Sequence, residues 1–151
     1  SIQSAKNTSK GWEFDFGGRF EFRGGRVDVQ MNYYKLDSFS AAVNGPAVNA
    51  VPNSYSLFGK YTWTSGPLSR LTLGGGLYDQ GEFRGNAGRL ILVDFPVTYN
   101  LFGSYQIGKR WGVQVNWDNV TNKRFVVSAG TAALAQSNDP GRARVALKYK
   151  W

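Results

Sequence analysis

Apolar and polar residues alternate with a period of two along most of the chain, the spacing of side chains that point to opposite faces of a β-strand. The last stretch is the clearest: Ala143, Val145, Leu147, Tyr149 and Trp151 share one face, and Arg142, Arg144, Lys148 and Lys150 share the other. Upstream, Trp12, Phe14, Phe16, Phe20 and Phe22 alternate with Glu13, Asp15, Arg19 and Glu21. Val27, Val29, Met31 and Tyr33 alternate with Asp28, Gln30 and Asn32, and Tyr55, Leu57, Tyr61 and Trp63 with Ser54, Ser56, Lys60 and Thr62. Leu71, Leu73 and Leu77 fall on one face, as do Val97, Tyr99, Leu101, Tyr105 and Ile107. Trp111, Val113, Val115 and Trp117 alternate with Gln114, Asn116 and Asp118. This predicts seven strands, each long enough for the roughly 9–11 residues that a tilted strand needs to cross a bilayer. Soluble strands are commonly nearer 5–6 residues.

The predicted connections alternate in length. Residues 22–26, 64–68 and 108–110 are short turns, whereas 38–52, 80–91 and 129–139 are longer and rich in Gly, Ala, Asn and Ser. Outer-membrane barrels have short periplasmic turns and longer extracellular loops, which puts the C-terminus on the periplasmic side. The polar faces carry charges of both signs, and Trp, Tyr and Phe gather near strand ends, where aromatic girdles meet the lipid–water boundary. A soluble barrel with an aromatic core is the competing architecture. The fold class expected is all-β: a transmembrane antiparallel up-and-down β-barrel, of which this chain supplies seven strands. Residues 118–124 are ambiguous. Asn and Asp there favour a turn, yet Phe125 and Val127 keep the parity of Trp117. A split would give eight strands, enough for a small closed barrel, and would break the short–long alternation. One continuous strand is preferred.

Composition matters mainly for what it removes. No run approaches the roughly 18 apolar residues of a membrane helix. Hydrophobic residues make up only 42% of the chain, as in a soluble protein, but alternating strands average out in any such measure. The chain has no Cys and no His, which excludes a disulfide scaffold, a thiol nucleophile, a Cys/His zinc site and a His-based triad. Only carboxylates, Lys and Tyr are left, in no compact constellation, so no enzyme activity, catalytic residue or metal site is expected. The net charge of +8 suits an anionic partner such as lipopolysaccharide or an acidic ligand. Because the charges are interleaved along strands and not clustered, nucleic acid is not expected. Ser1-Ile2-Gln3-Ser4 has neither the basic start nor the apolar stretch of a signal peptide, so a mature or truncated form is expected.

Several segments, in order, resemble a known family. Val93-Asp94-Phe95-Pro96-Val97-Thr98-Tyr99-Asn100-Leu101-Phe102-Gly103-Ser104-Tyr105 is followed, after a short turn, by Val113-Gln114-Val115-Asn116-Trp117-Asp118-Asn119-Val120-Thr121-Asn122-Lys123-Arg124-Phe125. This pair is similar to the closing strands of TonB-dependent ferric-siderophore receptors, whose hallmark strand has the form Leu-x-Val-x-Asn-Leu-x-Asp-Lys-x-Tyr. The sequence departs from it at Asn122, where Asp is usual, and at Phe125, where Tyr is usual. Val51-Pro52-Asn53-Ser54-Tyr55 resembles the family's Val-Pro strand entry. Gly66-Pro67-Leu68 followed by Leu71-Thr72-Leu73-Gly74-Gly75-Gly76 resembles its Pro-Leu-x-x-Leu-x-Leu-Gly-Gly-Gly strand, and Gly81-Glu82-Phe83-Arg84-Gly85-Asn86 the loop after it. Lys10-Gly11-Trp12-Glu13-Phe14 resembles the start of an earlier strand.

The resemblance implies that residues 1–151 are the C-terminal portion of a β-barrel domain, with the family's plug domain absent. Full receptors have about 22 strands. Seven strands in an open sheet leave two unpaired edges, and in lipid each unsatisfied backbone group costs several kcal/mol. The chain is therefore expected to be a fragment, one part of a split barrel, or a sheet closed by a partner. The function implied is uptake of ferric siderophores across the bacterial outer membrane, with no cofactor of the protein's own because the ligand brings the iron. Implied partners are outer-membrane lipid and lipopolysaccharide, the remainder of the barrel and the plug, TonB through that missing part, and the barrel-assembly machinery. Glu13, Asp15, Arg19, Lys60, Gln114, Asn116, Arg142, Arg144 and Lys148 would face the lumen and bond the plug. Phe83, Arg84 and Arg89 in a loop would touch an anionic ferric chelate, since guanidinium suits its oxygens. Tyr149 and Trp151 are similar to the family's terminal assembly signal, which usually ends in Phe. The alternative is a small autonomous eight-stranded outer-membrane barrel with a structural or adhesion role. A soluble barrel with a ligand in its lumen is a third possibility, opposed by the charged face of each strand.

Overall fold

The computed structural model describes residues 6–41, 44–47, 50–84, 92–129 and 135–151. In chain order the strands are β1 (Asn7–Phe22), β2 (Gly25–Ser40), β3 (Asn53–Trp63), β4 (Leu71–Asp79), β5 (Phe83–Arg84), β6 (Leu92–Val93), β7 (Thr98–Ile107), β8 (Trp111–Asp118), β9 (Val126–Ala129), β10 (Ala135–Ser137) and β11 (Arg142–Tyr149). Seven of them form one sheet in the order β1-β2-β3-β4-β7-β8-β11. Every neighbouring pair in it is antiparallel. The remaining four form two short ribbons, β5 with β6 and β9 with β10, both inside long connections.

The short turns sit at one end of the sheet. Only Arg23 and Gly24 link β1 to β2, and Gly24 has φ +94°, a conformation that a side chain would oppose. Gly108, at φ +60°, opens the turn from β7 to β8. The described residues of the long connections, which span 41–52, 80–97 and 119–141 in sequence, lie at the opposite end.

Register turns the alternation into two faces. Across one row, Phe16, Met31, Leu57, Leu77 and Tyr99 stand opposite one another. Another carries Phe20, Val27, Tyr61, Leu73, Gly103, Val115 and Val145. A row of the other face carries Arg19, Asp28, Lys60, Gly74, Phe102, Asn116 and Arg144. Among the described residues no second layer packs on the sheet. Among the described residues the buried hydrophobics are Phe83 and Phe95, and both belong to the long connections. The apolar face is open, with Trp12 58%, Leu147 64% and Val145 72% exposed. A continuous apolar surface of this extent is stable against hydrocarbon, not against water.

One expected strand is corrected. β8 stops at Asp118 and does not run on through Phe125. Asn119 (φ +46°) and Asn122 (φ +49°) adopt the left-handed conformation, which turns the backbone out of the sheet and which Asn tolerates better than most residues. The chain re-enters a ladder only at β9, whose partner is β10. Because β9 lies outside the main sheet, the sheet keeps seven strands and the short–long alternation stands.

Candidate functional site

The charged face of the sheet is the first candidate. The register puts Glu13, Asp15, Arg19, Lys60, Gln114, Asn116, Arg142, Arg144 and Lys148 all on this side. Their bonds are mostly cross-strand. Arg19 Nε reaches Asp28 Oδ1 at 2.6 Å, while Arg26 Nε and Lys60 Nζ approach Asp28 Oδ2 at 3.5 and 4.0 Å. One carboxylate on β2 thus gathers cations from three strands. Asn32 Nδ2 donates to Asp15 Oδ1 at 2.5 Å and to Glu13 Oε1 at 3.2 Å. At the far edge, Arg144 Nη2 bonds Asp118 Oδ2 at 2.5 Å, and Lys148 Nζ bonds Gln114 Oε1 at 2.8 Å. Arg142 pairs with Asp139 at 3.5 Å.

Asp28, Asn32 and Arg26 were not among the expected site residues, although Asp28 and Asn32 share the parity that selected Lys60. Asp28 is the carboxylate that organises the cations of this face. Along β1 the face is mainly acidic, with Glu13, Asp15 and Glu21 against Arg19, and along β11 it is entirely basic. Such a wall presents many exposed donors and acceptors to polar or charged groups.

The long connections form the second candidate, because they pack on one another. The Phe83 and Phe95 rings lie 5.4 Å apart, and Phe95 meets Phe125 edge-on at 5.0 Å. Val51 and Val126 complete the cluster. It draws on all three long connections. Phe83, expected at the ligand surface, is only 5% exposed and turns its ring into this cluster. Arg84 is the last residue of β5, paired in register with Leu92, and Arg89 lies outside the described residues. Beside the cluster, a recess of about 270 Å³ is lined in part by Asp37, Glu82, Pro46 and Phe83. Its two carboxylates favour cations over an anionic chelate.

Asparagines fasten the last connection to the sheet. Asn119, 7% exposed, donates from Nδ2 to the carbonyls of Lys123 (2.8 Å) and Asp139 (3.3 Å) and accepts at Oδ1 from Lys123 N–H (3.1 Å). Its own N–H donates to Asn100 Oδ1 on β7 at 2.8 Å. Asn138 accepts from Phe125 N–H at 2.9 Å, and Asn122 accepts from Gly141 N–H at 2.9 Å. The Asn119–Phe125 segment that carries the family resemblance is therefore a side-chain-braced exit from the sheet.

The chain ends in aromatics. The Tyr149 ring lies 4.6 Å from Trp111 and 6.3 Å from Trp151, which is fully exposed. Among the described residues no group of three or more His, Cys, Asp and Glu is arranged to hold a metal.

No protein-family model matches the sequence, and no curated protein matches it. Among solved structures the chain is similar to the siderophore receptor PiuA from Acinetobacter baumannii, at 20% identity and a TM-score of 0.81 over 97% of this chain and 22% of that one. It is similar to the pyoverdine outer-membrane receptor FpvA from Pseudomonas aeruginosa PAO1 bound to pyoverdine, at 24% identity and 0.80 over 99% of this chain and 22% of that one. FpvAI in its complex with pyocin S2 matches at 25% identity and 0.78, over 96% of this chain and 19% of that one. The chain thus spans about a fifth of the length of these receptors. The fold likeness and the resemblance read from the sequence agree: the chain has the fold of a stretch of β-barrel wall from a TonB-dependent siderophore receptor.

Proposed function

We propose that the chain forms part of the barrel wall of a bacterial outer-membrane receptor that takes up ferric siderophores with energy supplied through TonB. The observation that carries this is the sheet itself: seven antiparallel strands with an uncovered apolar face, alike in fold to siderophore receptors over nearly all of the chain. The apolar face would meet outer-membrane lipid. The charged face would line the lumen and bond a plug, with Asp28 and its three cations as its most connected point. The long connections would face outward, toward the ligand and lipopolysaccharide.

The sheet's geometry supports a larger ring. Strand direction reverses at each step of the seven-stranded sheet, so β1 and β11 run the same way. Joining these two edges directly would create a parallel pair. An all-antiparallel ring needs an odd number of further strands between them, the outermost ones opposed to β1 and β11. One further strand would satisfy that count, but β9 pairs with β10 outside the main sheet, which disfavours the autonomous eight-stranded barrel.

The test is uptake of radio-iron by iron-starved cells, comparing a strain lacking the protein with its complemented parent across a panel of purified ferric siderophores. Loss of uptake of at least one chelate, restored on complementation, is expected. Unchanged uptake of the whole panel, together with recovery of the protein away from outer membranes, would refute the proposal.

A further inference from the structure

The charged face changes character toward the short turns. Higher on the sheet its cations have carboxylate partners: Asp28 serves Arg19, Arg26 and Lys60, Asp118 serves Arg144, and Asp139 serves Arg142. The last two rows differ. Lys148 stands opposite Gly112, and Gly112 opposite Gln106. The Gln106 N–H donates to the Arg70 carbonyl at 3.4 Å, which carries this row on to Arg70. One row further, the Lys150 N–H donates to the Arg110 carbonyl at 2.9 Å. Arg70, Arg110 and Lys150 each adjoin a residue of the apolar face (Leu71, Trp111 and Tyr149), so they share the parity of Lys148 and belong to the charged face.

All four cations are exposed. None of them takes part in an ion pair among the described residues. Two are bonded to neutral groups: Arg70 Nη1 donates to the Gly108 carbonyl and Lys148 Nζ to Gln114 Oε1, both at 2.8 Å. From β4 to β11 neither row carries a carboxylate. Glu21, in the next row, stands on β1 opposite Arg26, three strands from β4. A strand added at the free edge of β11 would not neutralise the patch, because Arg70 lies three strands in from that edge, at spacings of about 4.8 Å each. The same spread exceeds the reach of one small anion, and the parity turns the patch away from lipid. A counter-charge that meets all four cations must lie over the face, with several anionic groups along it.

We propose that Arg70, Arg110, Lys148 and Lys150 dock an acidic polypeptide segment inside the barrel, at the periplasmic end of the lumen, by charge complementarity. The inference rests on the reading of the charged face as a lumen wall and names the chemistry of what lies against its lower rows.

The test uses the protein purified from outer membranes in mild detergent and treated with a zero-length carbodiimide, which joins a lysine amine to a carboxylate in direct contact. Peptide mapping by mass spectrometry should find Lys148 and Lys150 coupled to Asp or Glu of a polypeptide segment outside this sheet. Arg70→Gln/Arg110→Gln leaves both lysines in place, and the coupling yield should fall on the order of threefold, as for two exposed ion pairs. Arg70→Lys/Arg110→Lys keeps the charges and should keep the yield at Lys148 and Lys150, which a change in turn structure alone would not do. The proposal is overturned by no coupling at either lysine, by coupling only to carboxylates of this sheet or of a strand paired with β11, or by a yield unchanged in the Gln variant. Absence of coupling in a protein that still delivers iron would remove this site alone. Coupling in a protein without uptake of any chelate would remove the transport assignment alone.

Discussion

The side chain of Asn119 makes three hydrogen bonds while its backbone sits at φ +46°. Both properties suit asparagine: a short amide that reaches nearby backbone groups and a tolerance of the left-handed region. Asn119→Ala leaves the Lys123 N–H without this acceptor in a nearly buried site and keeps an unfavourable backbone angle. A loss of about 1–3 kcal/mol is expected, the range for an unsatisfied buried group. Asn119→Gly relieves the angle but not the lost bonds and should fall between parent and Ala. Thermal melting of the folded protein and protease nicking within residues 119–141 would register the series; identical behaviour of Ala and parent would refute this role. The same residue explains why the end of β8 was not legible. Trp117, Phe125 and Val127 keep one parity across the break, and parity records only which side a residue favours. It does not record where the backbone leaves the ladder. Asn119 and Asn122 were the visible signal, and the periodicity outweighed it.

At the scale of elements, the seven main strands were legible because each has a face that must meet a different solvent, and that constraint is written at every second residue. The ribbons β5–β6 and β9–β10 were not, being only two to four residues long. What holds the loop layer is packing among connections distant in sequence. Phe95, 7% exposed, stands between Phe83 and Phe125 and so links the second long connection to the third. A ligand-contacting role suggested for Phe83 by its loop position is set against a ring that is buried. Phe95→Ala should remove up to about 3–5 kcal/mol, the usual cost of truncating a buried Phe, and less where the loops close over the gap. Amide exchange should then accelerate in β5 and in β9 together, with β1–β4 unchanged. Acceleration confined to one ribbon would mean that the connections behave independently.

At the scale of the molecule, the decisive property is that the sheet has two faces of opposite chemistry and, among the described residues, no core beneath either. Its apolar rows average Leu, Val and aromatic side chains between two aromatic ends, marked on β8 by Trp111 and Trp117. Val115 lies between those ends, opposite Gly103 and Val145, and Gln114 lies one residue away on the charged face. If lipid covers the first face, Val115→Arg puts a guanidinium near mid-bilayer, at a cost of about 2–4 kcal/mol. Gln114→Arg adds the same charge one residue away, where water and polar side chains meet it, and should cost far less. In a water-soluble sheet the ranking would differ, because an arginine at an exposed position on either face would be solvated equally well. Urea-driven unfolding of the two variants in lipid vesicles therefore reads the orientation of the sheet directly. A large penalty at Val115 beside a small one at Gln114 is the expected outcome. Equal penalties would mean that neither face is turned to hydrocarbon and that the exposed rows of Leu, Val and Trp meet water.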